Sequence, residues 1–202
     1  MKRLIGVALV AGAVLAGLSA AAPAGQRGAA AALPVVVFET AKGTFEVEMY
    51  PNEAPKSVEH ILTLVRRNFY NGLRVHRFVP GFVVQFGDPQ TRDMTKKALW
   101  GGGGSGRTIG AAEISPKRPH RLGAVALAYD GNLGPTTADS QIYICVNGPE
   151  RYAPPNYSLN GRYAVIGQVI SGMPVVQQLR ELDVIRRATV KGPAPAPGAK
   201  KP

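Results

Sequence analysis

An arginine, a phenylalanine and a glutamine follow one another at spacings of five and three residues, as Arg77, Phe82 and Gln85. Side chains alternate between two faces of an extended chain, so Arg77 and Gln85 would share one face. The apolar residues Val79 and Val83 fall on the same face. No nucleophilic side chain lies between Arg77 and Gln85. The segment therefore indicates a site for an apolar, polarised substrate that is bound without being cleaved.

Residues 75–88 closely resemble the FHRxxPGFxxQxGD signature of the cyclophilins, which are peptidyl-prolyl cis-trans isomerases. Two further segments follow in the order of that family: residues 140–145 resemble its SQFFI strand, and residues 159–167 resemble its LDGxxxVFG strand. Residues 103–106 resemble the glycine loop between the first two segments. Together the matches span about residues 35–190.

The resemblance implies an enzyme that accelerates rotation about the peptide bond before proline. This rotation takes roughly tens to hundreds of seconds unaided, because partial double-bond character must be lost. It needs groups that bind the twisted amide more tightly than the planar one. By motif position, Arg77, Phe82 and Gln85 would be catalytic, with Arg77 donating a hydrogen bond to the prolyl nitrogen. The implied substrate-binding residues are Val83, Gly103, Ala128, Tyr129, Gln141, Tyr143, Leu159 and Tyr163.

Several positions depart from the pattern of the family. Tyr143 stands where the family usually has phenylalanine, so its hydroxyl needs a partner. Ser158 stands where many members carry a tryptophan on which tight binding of cyclosporin depends, so we expect weak or no cyclosporin binding. The single tryptophan, Trp100, could lie over the site or serve only to hold its own loop.

The elements that must position these residues are predicted to be short strands and turns. Glycine (24) and proline (17) are frequent and only 18% of residues are charged, which favours strands over long helices. Residues 35–40 and 44–49 form a predicted hairpin. Later strands are expected over 122–127, 141–146 and 163–169.

Two helices are predicted. Pro55 can open the first, in which Val58, Ile61, Leu62 and Val65 keep helical periodicity. The second should begin near Pro174 with Leu182 among its inward-facing residues. The fold that the resemblance implies is mainly β: a closed antiparallel eight-stranded β-barrel capped by two α-helices.

The termini indicate export. Lys2 and Arg3 precede an apolar run that ends in small residues, which predicts a signal peptide over residues 1–24 and a periplasmic or secreted protein. An uncleaved membrane anchor is the alternative. Residues 25–34 resemble a flexible leader before the domain at 35–190, and residues 191–202 form a Pro/Ala tail that we expect to be disordered.

Composition limits the partners. The net charge of +11 is scattered in short pairs such as Arg66-Arg67, so we expect no specific nucleic-acid binding. The one cysteine, Cys145, excludes an internal disulfide, and the three histidines lack metal-ligand spacing, so we expect neither a metal nor a cofactor. The expected partners are proline-containing peptides and unfolded exported proteins, bound by a monomer. A binding module with little turnover is the alternative function; a hydrolase is disfavoured because no G-x-S-x-G motif occurs.

Overall fold

The computed structural model describes residues 32–148 and 158–192. The predicted signal peptide, most of the predicted leader and nearly all of the predicted tail lie outside these residues. None of the helices within the described ranges has the length and apolar character to cross a membrane.

Nine antiparallel strands form one sheet, in the order β3-β9-β1-β2-β8-β6-β7-β5-β4. The strands are β1 (Val35–Thr40), β2 (Gly43–Met49), β3 (Leu73–Arg74), β4 (Arg77–Val79), β5 (Val83–Phe86), β6 (Ala124–Leu127), β7 (Ile142–Cys145), β8 (Val165–Ser171) and β9 (Val184–Lys191). The predicted mainly-β antiparallel fold is confirmed. Strand β9 was not among the predicted strands.

The sheet is curled, and its two edge strands, β3 and β4, are separated in the chain only by Val75 and His76. Val75 donates its backbone N–H to Asp183, whereas His76 donates its own to Gln85. The chain thus changes partner between these two residues, and β3 and β4 are not paired with each other. The predicted closed eight-stranded barrel is therefore corrected to a curled sheet of nine strands, because its two edge strands do not pair and close it.

The inner face of the sheet holds a core of aromatic and aliphatic side chains. Phe38 packs against Phe45, with ring centroids 5.0 Å apart, and against Phe86 at 5.4 Å. Tyr70 is fully buried among them and donates its hydroxyl to the carbonyl of Ser140 at 2.8 Å. These residues come from distant parts of the chain, so their packing holds those parts together.

Helix α1 (Pro55–Arg66) covers this core, and its four predicted apolar residues are all buried. The N-cap residue before it, Ala54, has no side chain that could accept a hydrogen bond from the first turn. The carboxylate of Glu113 instead accepts the backbone N–H groups of Lys56 at 3.0 Å and Ser57 at 2.8 Å. A distant loop thus satisfies donors that a helix start leaves unpaired.

Helix α2 (Met173–Gln178) starts where the sequence predicted it. Val176 and Leu179 are fully buried, but Leu182 is 42% exposed, so the prediction that Leu182 faces inward is wrong. The helix ends at Gln178, and Leu182 adopts a left-handed backbone with φ of 75° in the turn before β9. Helical periodicity therefore no longer applies at that residue.

Candidate active site

Strands β4 and β5 form a hairpin that brings the predicted catalytic residues together. In its register Arg77 lies opposite Gln85, and Val79 lies opposite Val83. Gly81 adopts a left-handed backbone with φ of 70°, and Phe82 donates its N–H to the carbonyl of Val79 at 3.0 Å. The tight turn restores the register, so all four paired residues occupy one face, as their spacing predicted.

This face borders a cavity with a volume of about 490 Å³. Ligand-binding cavities commonly have volumes of roughly 300–1,000 Å³. All the predicted site residues except Gly103 and Gln141 line this cavity. Val79 also lines it, although it was not among the predicted site residues. The lining residues are Arg77, Val79, Phe82, Val83, Gln85, Ala128, Tyr129, Tyr143, Leu159 and Tyr163.

The floor of the cavity belongs to a second apolar cluster, distinct from the inner core. Val83 and Tyr143 are buried in it together with Phe82 and Leu159. Side chains next to them in the strands, such as Val84, point to the inner core instead. Because successive side chains of a strand face opposite sides, both faces of β5 and β7 are apolar, and the outer one carries the cavity.

A directed series of hydrogen bonds runs from Arg77 along the cavity rim. Arg77 Nη1 donates to Gln85 Oε1 at 3.3 Å, and Gln85 Nε2 donates to Gln141 Oε1 at 2.9 Å. Gln141 Nε2 donates in turn to the carbonyls of Gly101 at 2.7 Å and Gly103 at 2.8 Å. Arg77 is exposed and forms no ion pair with any described carboxylate. Its charge therefore faces the cavity without a counter-ion from the described residues.

Gly103 and Gln141 line a second cavity, of about 530 Å³, which shares Gln85, Ala128 and Tyr129 with the first. The structure therefore places every predicted site residue along one groove made of two adjoining cavities. The two cavities offer an apolar site next to a glycine-lined, more polar one, which suits an extended peptide with an apolar residue at one position.

Asp88 holds the glycine loop that forms one wall of the second cavity. Its carboxylate is fully buried and accepts the N–H groups of Gly101 at 2.6 Å, Gly103 at 3.0 Å and Gln90 at 2.8 Å. Asp88 was not among the predicted site residues. Its position as the last residue of the opening motif was the available signal.

The hydroxyl of Tyr143 finds its partner in His120, at 2.8 Å from Nε2. Asn160 Oδ1 lies 3.0 Å from His120 Nδ1 and also accepts the backbone N–H of His120 at 2.8 Å. Because this oxygen can only accept, Nδ1 carries the proton, and the Tyr143 hydroxyl donates to Nε2. Burial lowers the pKa of His120, which favours this neutral form. No spacing in the sequence indicated the role of His120.

Trp100 lines neither cavity. Its indole N–H points to the carbonyls of Gln90 at 3.1 Å and Asp93 at 3.3 Å. This supports its interpretation as a residue that holds its own loop.

Other chemistry at the site is limited. Burial raises the pKa of the Cys145 thiol to about 12, so the thiol stays protonated at neutral pH and is a poor nucleophile. Among residues 32–148 and 158–192, no three His, Cys, Asp or Glu side chains are grouped as metal ligands.

Comparison with known proteins identifies the family. The model of the family described as cyclophilin type peptidyl-prolyl cis-trans isomerase/CLD matches residues 35–195. A probable peptidyl-prolyl cis-trans isomerase of Brucella suis is 37% identical over 162 residues, which cover 78% of this chain and 77% of that one. Peptidyl-prolyl cis-trans isomerase-like 1 of Aspergillus fumigatus is 36% identical over 144 residues, covering 71% of this chain and 80% of its own.

Solved structures show the same fold. A cyclophilin-type peptidyl-prolyl cis-trans isomerase of Cryptosporidium parvum superposes with a TM-score of 0.64 and 24% identity, covering 80% of this chain and 99% of its own. A structure of that protein in the presence of the dipeptide Ala-Pro gives a TM-score of 0.63. With the family match over most of its length, this chain belongs to the cyclophilin-type peptidyl-prolyl cis-trans isomerases.

Proposed function

We propose that the enzyme isomerises X–Pro bonds by donating a hydrogen bond from Arg77 to the prolyl nitrogen of the twisted amide. When the amide twists, this nitrogen becomes pyramidal and regains a lone pair. The observation that carries the proposal is the position of the Arg77 guanidinium at the rim of an apolar cavity, 3.3 Å from Gln85 and without an ion-pair partner among the described carboxylates. The guanidinium is therefore free to bind an acceptor that exists mainly in the transition state.

In this proposal the proline ring occupies the first cavity, over Phe82, Val83 and Leu159. The residues before proline would lie along the second cavity, against Gln141 and the glycine loop. The similar Cryptosporidium parvum protein was crystallised in the presence of the dipeptide Ala-Pro, which is the class of ligand proposed here. Gln85 would keep Arg77 aimed across the first cavity, since its carbonyl accepts from Arg77 while its amide is held by Gln141.

Substitution of Arg77 tests the mechanism. A charged hydrogen bond contributes about 1.5–3 kcal/mol, so Arg77→Ala should lower kcat/KM on one X–Pro peptide by roughly 10- to 150-fold. Arg77→Lys should restore activity only partly, because an ammonium lacks the planar pair of donors. Peptide affinity should change less than turnover.

The matched control is Arg186→Ala, which removes the same charge from an exposed position on β9. It should leave kcat/KM unchanged. Wild-type activity in a folded Arg77→Ala protein, checked by circular dichroism, would show that the proposed mechanism is wrong. Peptide binding without any acceleration in the wild type would favour the alternative of a binding module.

We also propose that the enzyme is exported and acts as a monomer on unfolded exported proteins. The support is the charged start, the apolar run and the small residues up to Ala24. Mass spectrometry after expression in a bacterium should find an N-terminus near residues 23–25. Leu9→Arg combined with Leu15→Arg should block processing and leave the full-length chain in the cytosol. An unprocessed wild-type chain in the cytosol would contradict the proposal.

A further inference from the structure

A third cavity, of about 400 Å³, is lined in part by Ser105 and Arg107, which follow the glycines of the groove in the chain. The second half of α1, the segment around Arg92 and the loop after Gly104 build it. Its lining includes the polar residues His60, Thr63, Arg67, Arg92, Ser105 and Arg107, and we call it the basic cavity. None of the described residues that line it is acidic.

Arg92 is held in a fixed orientation. Its Nε donates to the carbonyl of Asn71 at 3.2 Å, and its Nη2 donates to the carbonyl of Phe69. Neither bond neutralises its charge, and both leave its Nη1 group uncommitted. The two carbonyls orient the guanidinium, and its Nη1 group can still donate hydrogen bonds to an anion.

The described residues leave the guanidinium groups of Arg67 and Arg107 without a partner. Neither forms a side-chain hydrogen bond or an ion pair with any residue in the described parts of the chain. Both are exposed at the mouth of the cavity. Three arginines therefore line one cavity, and like charges gathered there repel one another unless an anion binds.

One carboxylate, Asp139, contacts residues of this cavity, and its single negative charge offsets only part of the charge of the three arginines. Both its oxygens are engaged by groups other than these guanidiniums. Oδ1 accepts from His60 Nε2 at 3.0 Å and from Ser105 Oγ. Oδ2 accepts the backbone N–H groups of Gly106 at 3.0 Å and Arg107 at 3.3 Å. Asp139 lines the second cavity of the groove, not the basic cavity.

We propose that the basic cavity binds a phosphate or sulfate group. A tetrahedral oxyanion offers several strong acceptor oxygens, which match the forked donors of Arg67, Arg92 and Arg107. The hydroxyl of Thr63 adds a further donor at the wall. The cavity is much larger than a free oxyanion, which occupies only a few water volumes of about 30 Å³ each, and it leaves room for an organic substituent.

Calorimetric titration tests this site. Inorganic phosphate and glycerol 3-phosphate are titrated separately, with sodium chloride added to keep the ionic strength constant. Both should bind saturably with one site per chain. Tighter binding of glycerol 3-phosphate would identify phosphomonoesters as the ligand, and tighter binding of inorganic phosphate would identify the free ion.

Arg67→Ala combined with Arg107→Ala should weaken phosphate binding by about tenfold or more, the factor that even one charge-assisted hydrogen bond supplies. Arg186→Ala combined with Arg187→Ala is the matched control, since it removes the same net charge from exposed positions outside the cavity. It should leave phosphate binding nearly unchanged. Isomerase activity should be unaffected in both, so the result is independent of the role proposed for Arg77.

Three outcomes would overturn the proposal. The first is the absence of saturable binding by the wild type. The second is an equal loss in both double variants, which would show attraction to net charge alone. The third is retention of wild-type affinity by a folded Arg67→Glu, Arg107→Glu protein, because charge reversal at a true site must abolish binding. Thermal unfolding of each variant verifies the fold.

Discussion

Tyr143 lines the first cavity and carries a polar hydroxyl on its apolar ring. The ring lines the first cavity, while the hydroxyl donates to His120, which does not line it. His120 is itself 4% exposed and bound to Asn160. The hydroxyl that distinguishes this position from the usual phenylalanine therefore has a buried partner that does not line the cavity.

Tyr143→Phe should lower the free energy of unfolding by about 1–3 kcal/mol, because it leaves the acceptor on His120 buried without this donor. Its kcat/KM should change little, since the ring remains. Urea denaturation and a peptide assay measure the two effects. The control is Tyr129→Phe, whose hydroxyl donates to the carbonyl of Arg162 at a more exposed place. Water can replace that hydrogen bond, so Tyr129→Phe should lower the free energy of unfolding by less than Tyr143→Phe does. An equal decrease in both variants would contradict the role of His120.

Ser158 leads to an expectation about cyclosporin. It is exposed, and its hydroxyl accepts the N–H of Asn160 at 3.1 Å. Trp100 lines neither cavity and cannot stand in for the tryptophan absent at this position. Inhibition by cyclosporin should therefore be weak, and Ser158→Trp should strengthen it. If the wild type is inhibited as tightly as members that carry the tryptophan, the alignment of this segment is wrong.

Among the elements, the glycine loop depends on close packing against Asp88. A Cβ atom on Gly103 would clash with the Asp88 carboxylate and lie 2.7 Å from Gln90 Nε2. A Cβ on Gly102 would meet only the carbonyl of Leu99, at 3.4 Å. The close approach of Asp88 therefore leaves no room for a side chain at Gly103, whereas Gly102 has no such contact.

Gly103→Ala should destabilise the protein by about 1–3 kcal/mol, the usual cost of overpacking, and raise KM for peptides with several residues before proline. The loop would shift at the second cavity, while Arg77 and the first cavity stay in place. The decrease in kcat should therefore be smaller than the increase in KM. Thermal unfolding and steady-state kinetics on a long peptide measure both. Gly102→Ala should resemble the wild type. Equal effects of the two substitutions would argue against the Asp88 contact.

At the scale of the whole molecule, the buried His120 and the partly buried His76 should make stability depend on pH. Burial lowers the pKa of both His76 and His120. In the unfolded chain each would titrate near about 6.5, so below that pH the unfolded state binds more protons than the folded one. The free energy of unfolding should therefore be highest above that pH and decrease as the pH falls below it.

Two measurements test this dependence. NMR titration of the imidazole carbons should give pKa values for His76 and His120 below about 6.5. Urea denaturation should show lower stability on the acid side of that value. An NMR pKa for either histidine at or above that of an unfolded peptide would contradict its proposed contribution.

The sequence by itself determined much of the local structure. The period-two pattern around Arg77 and Gln85 predicted which side chains share a face, because alternation depends only on backbone geometry within the hairpin. The period of 3.6 predicted α1 for the same reason. Strand β9 escaped prediction because a bulge opposite Glu39 and Thr40 places the buried residues Ile185 and Ala188 three apart, which breaks the alternation.

Only the tertiary structure decided which distant residues meet. His120 and Tyr143 are 23 positions apart, and Gln85 and Gln141 are 56 apart, so neither hydrogen bond leaves a periodic trace in the sequence. The same holds for the basic cavity, whose three arginines follow α1, end a short 3₁₀ helix and lie on the loop after Gly104. Periodicity reports which face of one element is buried. It carries no information on which other element covers that face, and contacts between distant elements form both the groove and the basic cavity.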